Sequence, residues 1–252
     1  MAKAGPYLLR YVAGECAQVW AQLSALEEGV REPAVFEDAW AVALETMRQV
    51  RRNLMTIHLR LLDSGYRFAV PEHALIEPAA TAASLLAQTE REYGLLPLSL
   101  RAFYEVVGSV DFRQSWQQRI QWSSPERATA PELALLGEED PLVVAPLEEL
   151  VTAFRNGLSR VTFYFAPDEF HKAGYSGGEN YHLTLPDASA DFHILGMYGL
   201  DEPFVEYLRA SLTSGGFRGK LGPPDATDAA QLYKAAPRSA LIDSLARNVE
   251  PI

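Results

Sequence analysis

The sequence predicts an α+β fold, in which a mainly antiparallel sheet packs against helices and an N-terminal helical hairpin precedes the sheet. The first observation is that apolar residues recur at three- and four-residue steps over residues 1–63, the period of an amphipathic helix. The second is that three strand-like segments, RVTFYFA, NYHLTLP and DFHILGMY, follow one another between residues 160 and 198. The third is that helix-like segments flank this block instead of alternating with its strands, as they would in a doubly wound sheet.

The predicted hairpin occupies residues 1–63, and an α+β domain with a C-terminal helical tail occupies residues 64–252. The apolar stripe of the first helix includes Cys16, which we therefore expect to be buried. Gly29 ends this helix, and Pro33 opens a second helix of about thirty residues. Because two helices alone bury little apolar surface, the hairpin must pack either on the rest of the chain or on another subunit.

The remaining elements are predicted from turn residues and local periodicity. In chain order they are a short strand ending at Pro71, helices closed by Gly94 and Gly108, strands between Ser109 and Trp122, a solvated acidic loop at Glu138, Glu139 and Asp140, a buried strand in DPLVVAP, a helix ended by Gly157, a helix capped by Asp201 with Pro203 in its first turn, and a tail helix from Pro237.

Composition restricts the classes of protein that need to be considered. The 48% hydrophobic and 22% charged residues are typical of a globular chain. The net charge of −11 argues against direct nucleic-acid binding, and an acidic surface would attract a basic protein partner, although many proteins without such a partner are equally acidic. The single cysteine allows no internal disulfide, and the sequence shows neither a signal pattern nor a membrane-length apolar run, so we expect a cytoplasmic protein with no membrane contact.

Several segments together resemble the SUKH superfamily, which includes a fungal regulator of cell-wall synthesis and many bacterial proteins. The segment LAQTEREYGLLPLSLRAFYEVVGSVDF has the order that opens this superfamily: a helix, a glycine, LP, a helix containing F-Y, and a glycine before a strand. DPLVVAP and PFVEYLRASLTSGGFRG resemble its later core strand and closing helix. The resemblance covers roughly residues 65–219.

This resemblance implies an α+β fold with one mainly antiparallel sheet, and a protein-binding role. Bacterial members of the superfamily are often immunity proteins that neutralise toxins, frequently nucleases. The resemblance implies no catalytic residues and no cofactor.

The segment APDEFHKAGYSGGENYHLTLP, residues 166–186, gathers several chemically active side chains. In a structural interpretation Asp168 caps a helical turn and Gly174 provides its left-handed exit. In a catalytic interpretation Ser176 would be a nucleophile, but it lacks the G-x-S-x-G pattern and leads into a strand. We therefore predict no catalytic residue here.

A metal site is the alternative for the same region. Asp168, His171, His182, Asp191 and His193 are all suitable ligand types within a short stretch. A hairpin with a five-residue loop would place Leu183 opposite His193, which puts His182 on the other face of the sheet from His193. We therefore predict no metal, although a shift of one residue in the register would bring both histidines to one face.

The sequence thus favours a non-enzymatic protein-binding module, and in its most specific form an immunity protein that neutralises a basic cytosolic toxin such as a nuclease. This hypothesis requires a concave or acidic face. One alternative is a small-ligand- or metal-binding protein, or a hydrolase, that uses the Asp168–His193 region. Another is a regulatory or structural homodimer formed through residues 1–63. Aromatic residues such as Tyr164 would anchor an interface if exposed, or else fill the core. The candidate contact residues are Asp168, His171, Lys172, Tyr175, His182, His193, Trp116 and Trp122.

Overall fold

A computed structural model describes residues 5–120, 133, 136–156, 160–176, 178–196, 201–219 and 240–252. Trp122 lies outside these residues. Helices and two small antiparallel sheets make up the structure, which confirms the predicted α+β class. The helices are α1 (Pro6–Val12), α2 (Cys16–Ser24), α3 (Pro33–Asp63), α4 (Ala82–Tyr93), α5 (Leu98–Val106), α6 (Trp116–Ile120), α7 (Leu147–Asn156), α8 (Glu169–Lys172), α9 (Phe204–Thr213) and α10 (Ala240–Leu245), with 3₁₀ turns at Glu27–Arg31 and Pro71–His73.

The strands form two sheets, and among the described residues one backbone hydrogen bond joins them. One sheet has the order β1-β2-β3 and the other the order β4-β5-β6-β7. The Ala145 N–H, just after β3, donates to the Phe165 carbonyl of β4 across 2.7 Å. The strands are β1 (Leu75–Ile76), β2 (Ser109–Asp111), β3 (Val143–Val144), β4 (Val161–Ala166), β5 (Tyr181–Leu185), β6 (His193–Leu195) and β7 (Asp201–Pro203).

The long helix α3 packs against the rest of the chain. Its buried side contacts α5 and α9, so the first of the two packing arrangements expected for the N-terminal helices is the one observed. The C-terminal segment is tied to the same helix, because Asn53 and Glu250 exchange two hydrogen bonds of 2.9 Å. A homodimer through residues 1–63 gains no support from these contacts.

Some predicted boundaries are wrong. The first helix is divided into α1 and α2, because Gly14 adopts a φ of 100°, which is outside the helical region. Cys16 is buried as predicted. The segment ending at Pro71 forms only an isolated bridge between Phe68 and Gln114.

The prediction for Asp201 is also wrong, since this residue belongs to a strand. Its backbone pairs with Leu195, and Pro203 precedes the first residue of α9 instead. Between Ser109 and Ile120 the chain forms only the short strand β2 and then α6. None of the described helices is both long enough and apolar enough to cross a membrane.

Aromatic rings connect the four-stranded sheet to α9. Phe165 of β4 lies at the centre of this core, with its ring centroid 5.7 Å from Phe192 and 5.8 Å from Phe204. The rings of Tyr181 and Tyr207 lie 6.5 Å and 6.4 Å from it. These residues cover the inner face of the sheet, so that face is closed to partners.

Candidate functional site

Asp168 has the capping role expected of it. Its Oδ1 accepts the backbone N–H of His171 at 2.8 Å and lies 2.9 Å from Nδ1 of the same residue. Gly174 ends the turn with a φ of 75°. Gly178 has a φ of 92°, and a Cβ at this position would lie 1.9 Å from Asp168 Oδ2, so the position requires glycine. The structural interpretation of this loop is therefore confirmed.

Lys172 points in the opposite direction, into the core. Its Nζ donates to Asp140 Oδ1 at 2.6 Å and to the Tyr207 hydroxyl at 3.2 Å, and the side chains of Lys172 and Asp140 are both 0% exposed. Burial lowers the pKa of Lys172, and the Asp140 carboxylate opposes this shift. The Tyr181 hydroxyl continues the network, 3.1 Å from Asp140 Oδ2 and 2.6 Å from Glu169 Oε2.

This network corrects two expectations. Asp140 was predicted in a solvated loop, but it is 1% exposed, and Glu139 is 6% exposed. Asp140 also adopts a φ of 50°, a conformation that Asp and Asn tolerate better than other residues with a Cβ. Lys172 was predicted as a partner contact, yet it is 4% exposed, so this residue is a structural element of the core.

The two strand histidines share the outer face of the sheet. The observed register places His182 opposite Leu195, one residue away from the predicted pairing. The reason is that the buried side chain of Ile194 must lie on the same face as Leu183, whereas the predicted register set Leu183 opposite the exposed His193.

The corrected register does not create a metal site in the part of the chain that the structure describes. These residues include no group of three or more His, Cys, Asp or Glu side chains placed to hold an ion. His182 is used otherwise: its Nδ1 lies 3.0 Å from the Asn180 carbonyl oxygen, and its ring lies 5.2 Å from that of Tyr164.

Asp191, another residue of the metal hypothesis, is buried beside α9 and accepts the Val205 N–H at 3.0 Å. Burial raises the pKa of its carboxyl from 3.8 to about 6. Because the folded protein holds the Asp191 proton more tightly than the unfolded chain does, this carboxyl stabilises the fold below pH 3.8. The contribution is lost as the pH rises through 6. We expect the free energy of unfolding of the wild type to fall by about 3 kcal/mol over this interval relative to Asp191→Asn.

Urea unfolding of both proteins across this pH range measures the difference. Other carboxyl groups titrate in both proteins and cancel in the comparison, because the substitution leaves them unchanged. Two parallel curves of stability against pH would show that Asp191 ionises normally.

The predicted aromatic contacts are exposed. Trp116 and Tyr175 are 59% and 55% exposed, and both lie beside Gly174. The Arg119 guanidinium lies 5.5 Å from the centre of the Trp116 ring and donates to the Ala173 carbonyl. These residues form a small aromatic patch that lies outside the depressions described below.

A second surface was not predicted, and it is concave. Three adjoining depressions of about 410, 140 and 380 Å³ surround the first turn of α7. The first and third share Glu149 and Tyr164, and the second and third share Glu148. We call this surface the acidic face and define it by Glu77, Asp111, Glu148, Glu149 and Tyr164.

The charge of the acidic face comes mainly from the two adjacent glutamates. Asp111 is neutralised by Arg113, whose Nε and Nη2 lie 2.9 Å and 2.6 Å from its two carboxylate oxygens. Glu77 pairs with Arg51. Within the described residues Glu148 and Glu149 form no direct ion pair, although the charge of Glu149 contributes to the raised pKa of Arg113. Both glutamates are exposed in the first turn of α7, where the helix dipole favours negative charge.

Tyr164 lies where the two larger depressions meet and is 50% exposed. The sequence left open whether this residue binds a partner or fills the core. It gave no sign of the three depressions, because most of their lining residues come from elements between β1 and β4 that include α4 and α5 and lie far apart along the chain. The single local signal was the Glu148-Glu149 pair after Pro146.

Comparisons with known proteins do not assign this chain to a class of protein. No protein-family model, curated protein or solved structure matches the chain.

Proposed function

We propose that this chain is a non-enzymatic binding module that holds a basic protein partner on the acidic face. The observation that carries the proposal is a concave surface on which two exposed glutamates, which form no direct ion pair with a described residue, adjoin a half-exposed tyrosine. Tyrosine is enriched among the residues that dominate binding energy at interfaces. Carboxylates beside it speed the encounter with a basic surface and disfavour acidic competitors.

The most specific form of the proposal is an immunity protein that neutralises a cytosolic toxin, such as a nuclease. Its support is the resemblance of residues 65–219 to the SUKH superfamily together with the acidic, concave surface. A nuclease must carry basic residues where it holds nucleic acid, and an acidic face is complementary to such a site.

The geometry does not favour the alternative of a shared active site. Lys172 is enclosed in the core on the inner side of the sheet, whereas His182 lies on the outer face. Asp168 and His171 contact each other, and the Oδ1 atom that makes this contact also caps α8. These four side chains do not converge on one point.

Photo-crosslinking tests whether the acidic face is the contact surface. We would place p-benzoylphenylalanine at Tyr164 and, in a matched control, at Tyr175, which is similarly exposed but lies outside the three depressions. Irradiation in cells of the source organism should give a discrete adduct with one basic protein from position 164 and not from position 175.

The absence of an adduct at position 164, or identical adducts at both positions, would remove the basis of the proposal. Mass spectrometry of the adduct names the partner, and its isoelectric point tests the requirement for a basic protein. A toxin in the adduct would support the immunity form.

A further inference from the structure

The first half of β4 is an open sheet edge. This strand is the outermost strand of its sheet and pairs with β5 along one side only. On the side away from β5, β4 forms one backbone hydrogen bond to a described residue, in which the Phe165 carbonyl accepts the Ala145 N–H. Over residues 161–164 no further backbone hydrogen bond to the rest of the described chain is formed.

The length and sequence of β4 lack the features with which proteins usually blunt an edge strand, and the element that lies beside this edge is α7. Natural sheets blunt their edges with very short strands, proline or lysine. At the other ends of the two sheets, β1 has two residues and β7 includes Pro203. By contrast, β4 has six residues and includes neither proline nor lysine.

A groove runs along this open edge. The depression of about 380 Å³ has Thr162, Phe163 and Tyr164 of β4 on one side. On the other side it is lined by α7, including Glu149 and Thr152. The backbone of the edge and the carboxylates of the acidic face therefore border the same space.

From this arrangement we infer that β4 takes up an extended basic segment of the partner as an added strand. Backbone groups of such a segment would complete the ladder at residues 161–164, as in other cases where a peptide extends a sheet. Its lysine or arginine side chains would lie close to Glu148 and Glu149, which gives the charge selection. This inference rests on the proposed function and specifies how the partner is held.

Hydrogen exchange with a defined probe tests the inference on the full chain. The probe is a short peptide that alternates valine and lysine, and the matched control alternates valine and glutamate. The basic peptide should bind at low ionic strength and give nuclear Overhauser contacts between its backbone and β4. At a hundred times its dissociation constant it should slow exchange of the edge amides within residues 161–164 by up to about a hundredfold.

Each other outcome overturns strand addition. Binding of the basic peptide without protection of β4 would mean that the glutamates attract it in another way, and equal binding of both peptides would remove the charge selection. Failure of the basic peptide to bind would reject the open edge as a docking site. None of these results decides the proposed function, because the adduct at position 164 tests that separately.

Discussion

Substituting Asp140 with asparagine is expected to lower the free energy of unfolding by about 3–5 kcal/mol, because the change leaves the Lys172 ammonium buried without its counter-ion. Asparagine preserves the shape of the side chain and tolerates the positive φ of 50° at this position. The loss therefore reports the missing charge and not backbone strain. Urea unfolding near neutral pH measures it.

The matched control is the double variant Asp140→Asn/Lys172→Met. Methionine fills the space of the lysine stem without a charge, so the double variant should be more stable than Asp140→Asn alone. The single variant should also regain stability as the pH rises toward 10.5, the unperturbed pKa of lysine. The sign follows because the unfolded chain, with its normal lysine pKa, binds more protons than the folded one.

A single variant as stable as the wild type would mean that Lys172 is already neutral in the folded protein. A double variant no better than the single one would show that lost hydrogen bonds to Tyr207 or Tyr181, and not the uncompensated charge, dominate the cost.

The fold class followed from local patterns, whereas some boundaries depended on single residues. The period of apolar residues identified α3 correctly, because a helix of 31 residues repeats its pattern many times. The same pattern wrongly predicts one continuous helix through Gly14, because the spacing of apolar residues does not reveal that this glycine adopts a non-helical φ. Loop length alone predicts the wrong hairpin register, because the burial of Ile194 decides which residues share a face of the sheet.

The candidate site was less predictable, because most of its contacts join residues that are far apart along the chain. Capping by Asp168 is a contact over three residues and was therefore visible in the sequence. The Lys172–Asp140 pair spans 32 residues, and its acidic member lies in a run that would suit a solvated loop. The acidic face is assembled from β2, α7, β4 and the residue that follows β1, so it appears only after folding.

The second large effect is expected on partner binding. Reversing two charges with Glu148→Lys/Glu149→Lys should weaken capture of the basic partner on the order of a hundredfold, because like charges would then face each other across the interface. The change also places positive charge at the N-terminal end of α7, which the helix dipole disfavours. The neutral variant Glu148→Gln/Glu149→Gln separates these effects, since it removes the attraction without adding repulsion.

The matched control has the same change in net charge at another part of the surface. Glu28 and Glu37 are exposed and line none of the three depressions, so Glu28→Lys/Glu37→Lys should keep the partner. Circular dichroism and thermal unfolding of all four proteins confirm that each variant is folded before its binding is compared.

The most direct measurement of the central claim is therefore the affinity of the crosslinked partner, once purified, for the wild type and these variants at two salt concentrations. The account predicts a large loss for Glu148→Lys/Glu149→Lys, a smaller loss for the glutamine pair, no loss for Glu28→Lys/Glu37→Lys, and weaker wild-type binding at higher salt. Equal affinity of the partner for the wild type and Glu148→Lys/Glu149→Lys would contradict the claim that the acidic face is the binding surface.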